Sequence, residues 1–357
     1  MSKIGVLTFW TSQFNYGQLL QGYALQAYLK KQGHEVYIIR FDSILSKVKE
    51  KCLLLFHGKL LADIKQKKLR KFNDFRTMNI TYSNKRFGTY QALKLNPPQA
   101  DYYIVGSDQV WAYMRNLERR HGYLLKFGTA KKLAYAASFG RDELKDDRND
   151  YYWALKEFSF IGVREESGKE IVNSLGYNAT WVTDPVTLLT AKEWRLIKAD
   201  IHLHKNGKKN IFMYTLANES QNQLLPDLKK TLSREFNMYY TNSSEVPDNK
   251  CTLYPSPNEW LAYIDNSDIV VTDSFHCTMF CIIFNVPFVT MERENGKGMS
   301  NRLTSMLNRI GLIDRYTPCD STAIMNKINE LPNWESVNKI LAEWIQTSKQ
   351  QLTKNIK

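Results

Sequence analysis

The sequence predicts an α/β protein made of two Rossmann-like, doubly wound domains with a cleft between them. Three observations carry this. The chain has 357 residues, long for one core and natural for two. Short apolar runs alternate with helical patterns in two separate series, the signature of parallel sheets with crossover helices. A polar, basic break, KADIHLHKNGKKN at 198–210, divides the two series.

The first series opens with KIGVLTF (3–9) as a strand. A loop and a helix follow, in which Leu19, Leu20, Tyr23, Ala24, Ala27 and Tyr28 recur at helical spacing and Gly33 closes the end. VYII (36–39) is the second strand. Residues 44–80 look mostly helical and basic. DYYIVGSD (101–108), KLAYAASFG (132–140) and FSFIGVR (158–164) each end a strand in a polar turn. A helix from 165 to 175 and the run ATWVT (179–183) lead to the breaker Asp184-Pro185. The second series places strands at 211–216, 236–240, 269–272 and 287–290. Helices fall at 219–235, 257–264 (Pro257 near its start) and 274–284. The expected domains are 1–197 and 205–325, with an amphipathic C-terminal helix over 330–357.

Composition excludes several classes. No window offers about 18 uninterrupted apolar residues, so no membrane-spanning helix is expected. The start, MSKIGVLTFW, runs straight into a strand without the apolar region and cleavage site of a signal peptide, so a cytoplasmic protein is expected. The five cysteines, Cys52, Cys251, Cys277, Cys281 and Cys319, form no disulfide framework. Cys277 and Cys281 share a helix face, but no second Cys/His pair accompanies them. Buried thiols are expected and no metal. The formal net charge is +13, which favours anionic partners. Six basic residues fall within 59–71. That stretch is either a solvated helix face or a surface for the inner face of a membrane and a lipid-linked acceptor. No nucleic-acid recognition motif is present.

In doubly wound sheets ligands bind beyond the carboxyl ends of the strands, so the residues there are the candidates. Asn15, Gly17 and Gln18 follow the first strand; Gly17 permits close backbone approach and the helix start favours an anion. The segment lacks the dinucleotide and P-loop patterns. Asp108 ends another strand and is a candidate base or ligand acceptor. Arg164, with its forked donors, suits a carboxylate or phosphate. Ser274 and His276 stand where VVT (270–272) passes into a helix, and His276 is placed to move a proton near neutral pH. Arg302 begins a later helix beside Ser300 and Asn301. Most have a plain structural alternative: capping for Asn15, Asp108 and Arg302's segment, a salt bridge to Glu165 or Asp184 for Arg164, and a purely structural role for His276.

Six pieces in order resemble the polysaccharide pyruvyl transferase family. They are NYGQLLQGYALQAYLKKQGHEV (15–36), DYYIVGSDQVW (101–111), AYAASFG (134–140), FSFIGVREESG (158–168), VTDPVTLL (182–189) and VTDSFHCTMFCIIFNVPFV (271–289). The resemblance implies a GT-B-like arrangement, with the first domain on the acceptor side and the second on the donor side. It also implies transfer of the enolpyruvyl carbons of phosphoenolpyruvate to two sugar hydroxyls, as in cell-surface polysaccharide or its precursor. Arg164 and His276 match positions tied to donor binding and catalysis, Ser274 lies in the same motif, and no cofactor is implied beyond the donor. Cys277 stands where the family often has glycine, which puts a side chain near the helix start. Two other functions fit the same fold: a GT-B glycosyltransferase using a nucleotide sugar, and a non-catalytic binding relative.

Overall fold

The computed structural model describes residues 1–11, 14–42, 59–216, 221–244, 253–292 and 297–356. The first part runs β1 (Lys3–Leu7), α1 (Tyr16–Lys31), β2 (Glu35–Phe41), α2 (Lys59–Asn79), β3 (Tyr82–Phe87), α3 (Tyr90–Leu95) and β4 (Tyr102–Val105). It continues with α4 (Leu117–Tyr123), β5 (Lys131–Ala137), α5 (Arg148–Leu155), β6 (Phe158–Val163), α6 (Glu166–Ser174) and β7 (Thr180–Trp181). A 3-10 turn at Pro185–Leu188 and α7 (Ala191–Ile197) end it. The second part runs β8 (Lys209–Thr215), α8 (Gln221–Glu235), β9 (Phe236–Asn242), α9 (Pro257–Asn266), β10 (Ile269–Thr272) and α10 (Phe275–Phe284). Then come β11 (Phe288–Met291), α11 (Lys297–Arg309), β12 (Tyr316–Thr317), α12 (Ser321–Ile328) and α13 (Trp334–Lys354).

Among the described residues the strands form a seven-stranded sheet, ordered β3-β2-β1-β4-β5-β6-β7, and a five-stranded one, β12-β11-β10-β8-β9. Every pairing is parallel, and β1 sets Ile4 and Val6 beside Tyr102 and Ile104 of β4. Such strands are covered on both faces, which is why β4 and β10 are buried throughout and apolar but for Thr272 at the end of β10. Strand order reverses between β1 and β4 in one sheet and between β8 and β10 in the other. Those are the switch points where a crevice opens.

The sequence missed the short edge strand β12, the helices α3, α4, α5, α7 and α12, and β3, whose only buried positions are Ser83 and Phe87. Of the segment expected to be mostly helical, α2 spans 59–79 and residues 43–58 lie outside the described residues. Cys52 and Cys251 lie outside them too.

One apolar cluster joins the two sheets. Tyr16, at the start of α1, stacks on Trp260 of α9 with ring centroids 5.0 Å apart. Its hydroxyl donates to the Pro255 carbonyl at 2.8 Å. Helix α1 is therefore buried on nearly every side, not on one stripe. Its polar members are satisfied: Gln26 exchanges hydrogen bonds of 2.8 and 2.9 Å with the Thr81 backbone.

The basic helix α2, which keeps Gln66, Lys67 and Arg70 exposed, and the amphipathic helix α13 are both tied to the body of the protein. In α2, Lys68 donates to the Asn242 carbonyl at 3.1 Å and Lys71 to Glu259 at 2.8 Å, tying the helix to the second sheet. In α13 the apolar stripe of Val337, Leu341, Trp344 and Leu352 is buried, and its partners lie in the first part of the chain. Trp344 Nε1 donates to the Trp181 carbonyl at 3.1 Å, and Ser348 Oγ accepts from Thr183 N at 3.0 Å. No helix among the described residues is long and apolar enough to cross a membrane.

Candidate functional site

A cavity of about 280 Å³ opens where the two switch points face each other. Its walls follow strand ends: Asn15 and Gln18 after β1, Asp108 after β4, Leu216 after β8, and Asp273, Ser274 and His276 after β10. Arg302 of α11 closes one side. The starts of α1 and α10 both point here and offer partial positive charge, beside the carboxylates of Asp108 and Asp273.

Beneath the wall lies a buried charge network. Asp184, whose side chain is inaccessible, receives Arg164 Nη1 at 3.1 Å and lies 3.0 Å from the Ser107 hydroxyl. His276 Nε2 approaches the same carboxylate oxygen at 3.4 Å. The second guanidinium nitrogen of Arg164 reaches Asp108 at 3.2 Å, and its plane lies 4.8 Å from the Phe275 ring centre. Burial would push the Asp184 carboxyl up, but His276 and Arg164 outweigh it and hold it well below the usual carboxylate range. Asp108 is governed the same way: burial raises it, and Arg164, His276 and Arg302 together hold it low. Burial opposes the charge on Arg164, and Asp108 and Asp184 more than restore it.

Local sequence explains the placement. Asp108 has φ of +73°, a left-handed conformation that aspartate tolerates better than most residues. Gly106, with φ of +126°, packs so tightly that a Cβ there would fall 2.0 Å from the Tyr135 carbonyl oxygen. Gln21 of α1 braces this turn: its Nε2 donates to Thr8 Oγ1 at 2.8 Å and its Oε1 accepts from Ser107 N at 3.0 Å.

Asn15, Gln18, Asp108, Ser274, His276 and Arg302 all line the cavity. Several differ from expectation in what they do there. Asn15 caps α1, its Oδ1 accepting from Gln18 N at 3.1 Å. Ser274 Oγ accepts from Cys277 N at 3.4 Å, which leaves its O–H as a donor toward the cavity, while its backbone N–H is taken by Thr272 Oγ1 at 3.1 Å. Gly17 does permit a close approach, but to His276: a Cβ at Gly17 would fall 2.2 Å from Nδ1. Arg164 does not line the cavity, because its forked donors are taken by the two aspartates. The salt-bridge alternative for Arg164 therefore holds through Asp184, and Glu165 turns to the Phe139 amide at 2.6 Å. Asn301 binds Asp142 at 2.6 Å, joining α11 to the first sheet's loops. The Ser300 side chain lies outside the described residues. The Cys277 side chain points away, into the core beside Cys281, whose thiol burial pushes well above its ordinary range.

Asp184 is the residue that sequence reasoning underread, naming it only as a turn former and as one alternative partner of Arg164. Asp-Pro reads as a turn, and Asp184 does cap one, its Oδ1 accepting from Val186 N at 3.1 Å. Its other oxygen meets groups from three distant segments, and no local pattern encodes that. The apolar run before it, AT-W-V-T, was the one available signal that the aspartate would end buried.

The polysaccharide pyruvyl transferase family model matches residues 15–295. No curated protein matches the chain. Among solved structures, it is similar to UDP-GlcNAc 2-epimerase from Methanocaldococcus jannaschii in complex with UDP-GlcNAc and UDP. The two share 13% identity over 96% of this chain and 98% of that one, with a TM-score of 0.50. The S. aureus MnaA–UDP co-structure is similar at 11% identity over 96% and 91% of the chains, with a TM-score of 0.54. Glycosyltransferase SsfS6 from Streptomyces sp. SF2575, complexed with thymidine diphosphate, aligns at 12% identity over 98% and 100%, with a TM-score of 0.46. At these identities the likeness is one of fold, a two-domain GT-B-like α/β architecture.

Proposed function

The chain belongs to the polysaccharide pyruvyl transferase family, and on that premise we propose that it transfers the pyruvyl group of phosphoenolpyruvate to two hydroxyls of a sugar, forming a cyclic ketal and releasing phosphate. The observation that carries this reading is the cavity itself. At about 280 Å³ it sits at the small end of ligand pockets, which run from about 300 Å³ upward, and it sets a guanidinium and an imidazole beside two helix starts. A three-carbon donor with a phosphate and a carboxylate suits that space and charge. A nucleotide sugar, with a base and two sugar rings, asks for a longer groove.

Residue roles follow from placement. Arg302 holds a donor anion with its fork, as expected of it from sequence, whereas the fork of Arg164 is taken by the two aspartates. His276 moves protons: of the two given up by the acceptor hydroxyls, one ends on the methylene carbon, which becomes methyl, and one leaves with phosphate. The carbon between them passes through an oxocarbenium-like state. Asp108, held ionised, is a weak base for a hydroxyl but a good fixed negative charge beside that cation. It also suits a hydroxyl of the acceptor as a hydrogen-bond partner. The scheme needs no cofactor and no metal.

Nucleotide-sugar transfer remains the competing function, because two of the similar structures hold UDP by name. Thermal unfolding separates the two. A ligand of the native state raises the midpoint by mass action, about 2.7 kcal/mol at a hundredfold excess over Kd. Phosphoenolpyruvate is expected to shift it, and Arg302→Ala to remove the shift while the protein stays folded. A shift with UDP-sugars and none with phosphoenolpyruvate would overturn the proposal. Arg164→Ala is a poor probe, since stranding two buried carboxylates costs about 3–5 kcal/mol.

A further inference from the structure

We propose that Asp184 is a positioning residue that fixes the proton of neutral His276 on Nε2, so that Nδ1 is the nitrogen that exchanges protons in the cavity.

The geometry argues this from both sides of the ring. Nε2 is shut off from solvent and meets no atom in hydrogen-bond alignment; Asp184 Oδ2, at 3.4 Å, is the acceptor facing it. That oxygen belongs to an ionised carboxylate also held by Arg164 and Ser107. A bare nitrogen lone pair set against it would repel; an N–H attracts, even off-line. On the other side, Nδ1 lies against the first turn of α1 at Gly17, between the cavity-lining Asn15 and Gln18. A helix start carries partial positive charge, so it favours a lone pair there and disfavours a proton. Both ends of the ring thus select one tautomer. Glycine at position 17 is what lets the ring reach this place, because any Cβ would occupy it.

The consequence for chemistry is directional. Nδ1 of the neutral ring accepts a proton from an attacking hydroxyl, and the imidazolium so formed rests on Asp184, as well as on any donor anion beside it. The same Nδ1–H hands the first hydroxyl's proton to the methylene carbon, which becomes methyl; once the second hydroxyl has given its proton to Nδ1, the Nδ1–H is the acid for the departing phosphate. Asp184 itself touches neither substrate and keeps its charge throughout.

The inference rests on the pyruvyl-transfer reading only for its kinetic effect; the tautomer is measured with no donor present. The full chain labelled with ¹⁵N-histidine is examined by two-bond ¹H–¹⁵N correlation at a pH where the ring is neutral, and the His276 signals are identified by their loss in His276→Gln. Expected are a protonated Nε2 and a bare Nδ1. A protonated Nδ1 overturns the proposal whatever the donor proves to be. Asp184→Asn supplies the second readout. Its amide can turn either way to the ring, so a mixed or reversed tautomer is expected. Phosphate release should fall about 10²- to 10⁴-fold in kcat with donor KM nearly unchanged. Folded Asp184→Asn protein with wild-type kcat and tautomer also overturns it. Should that variant fail to fold, the wild-type spectrum still decides.

Discussion

Gly17 shows how one residue without a side chain places another. Alanine there puts a methyl group 2.2 Å from where Nδ1 now lies, and the backbone of α1 cannot retreat because Tyr16 is stacked and Gln21 is bonded. Gly17→Ala should therefore expel the imidazole, lower kcat by at least about 100-fold, and cost about 1–3 kcal/mol of stability. Phosphate-release kinetics and denaturant unfolding check the two halves separately. The aspartates make a prediction in pH. Asp108 and Asp184 titrate lower folded than unfolded, so their stabilisation is complete above the unfolded value of about 3.9 and is lost as pH falls through their folded values. Stability should hold steady from neutral pH to about 4 and drop below it. Asp184→Asn should flatten that acid limb in a circular-dichroism titration. His276 was legible in the sequence because a lone titratable group at a strand-to-helix joint stands out. Asp184 was legible only as an alternative partner for Arg164; that Ser107 and His276 meet the same carboxylate was not, because only the fold brings them together.

Elements that repeat the local pattern of strand and helix were readable nearly to their ends. Those that owe their existence to neighbours were not. β12 has two residues and exists by pairing with β11; β3 is polar from Ser83 to Arg86 and is held by β2. The faces of α2 and α13 were read for what they contain, and packing decided what they do. Trp344 of α13 is buried, packs at 5.0 Å from Trp181, and has Arg309 stacked on it at 4.3 Å. Trp344→Ala should cost about 3–5 kcal/mol, read from denaturant unfolding. The α2 contacts differ in weight. Lys71 and Glu259 form a half-exposed pair worth at most about 1 kcal/mol, whereas the Lys68 ammonium is buried against Asn242 and the Phe14 ring. Lys68→Ala should destabilise clearly more than Lys71→Ala in the same assay.

At the scale of the molecule, the two sheets share one apolar cluster that runs from Ile4 through Tyr16 and Trp260 to Phe288. Free swinging of one domain on the other is the default for loosely joined domains, and a continuous core opposes it. The cavity is thus built largely in place. The return of α13 to the first sheet has a further consequence, for how the protein is made. Trp181 and Thr183 emerge from the ribosome early, yet Ser348, the partner of Thr183, lies 165 residues later. At about 5–20 residues per second, that patch waits roughly 8–33 s for its cover. During synthesis the first sheet is a half-finished surface, and chaperones that shield such surfaces have that interval in which to act.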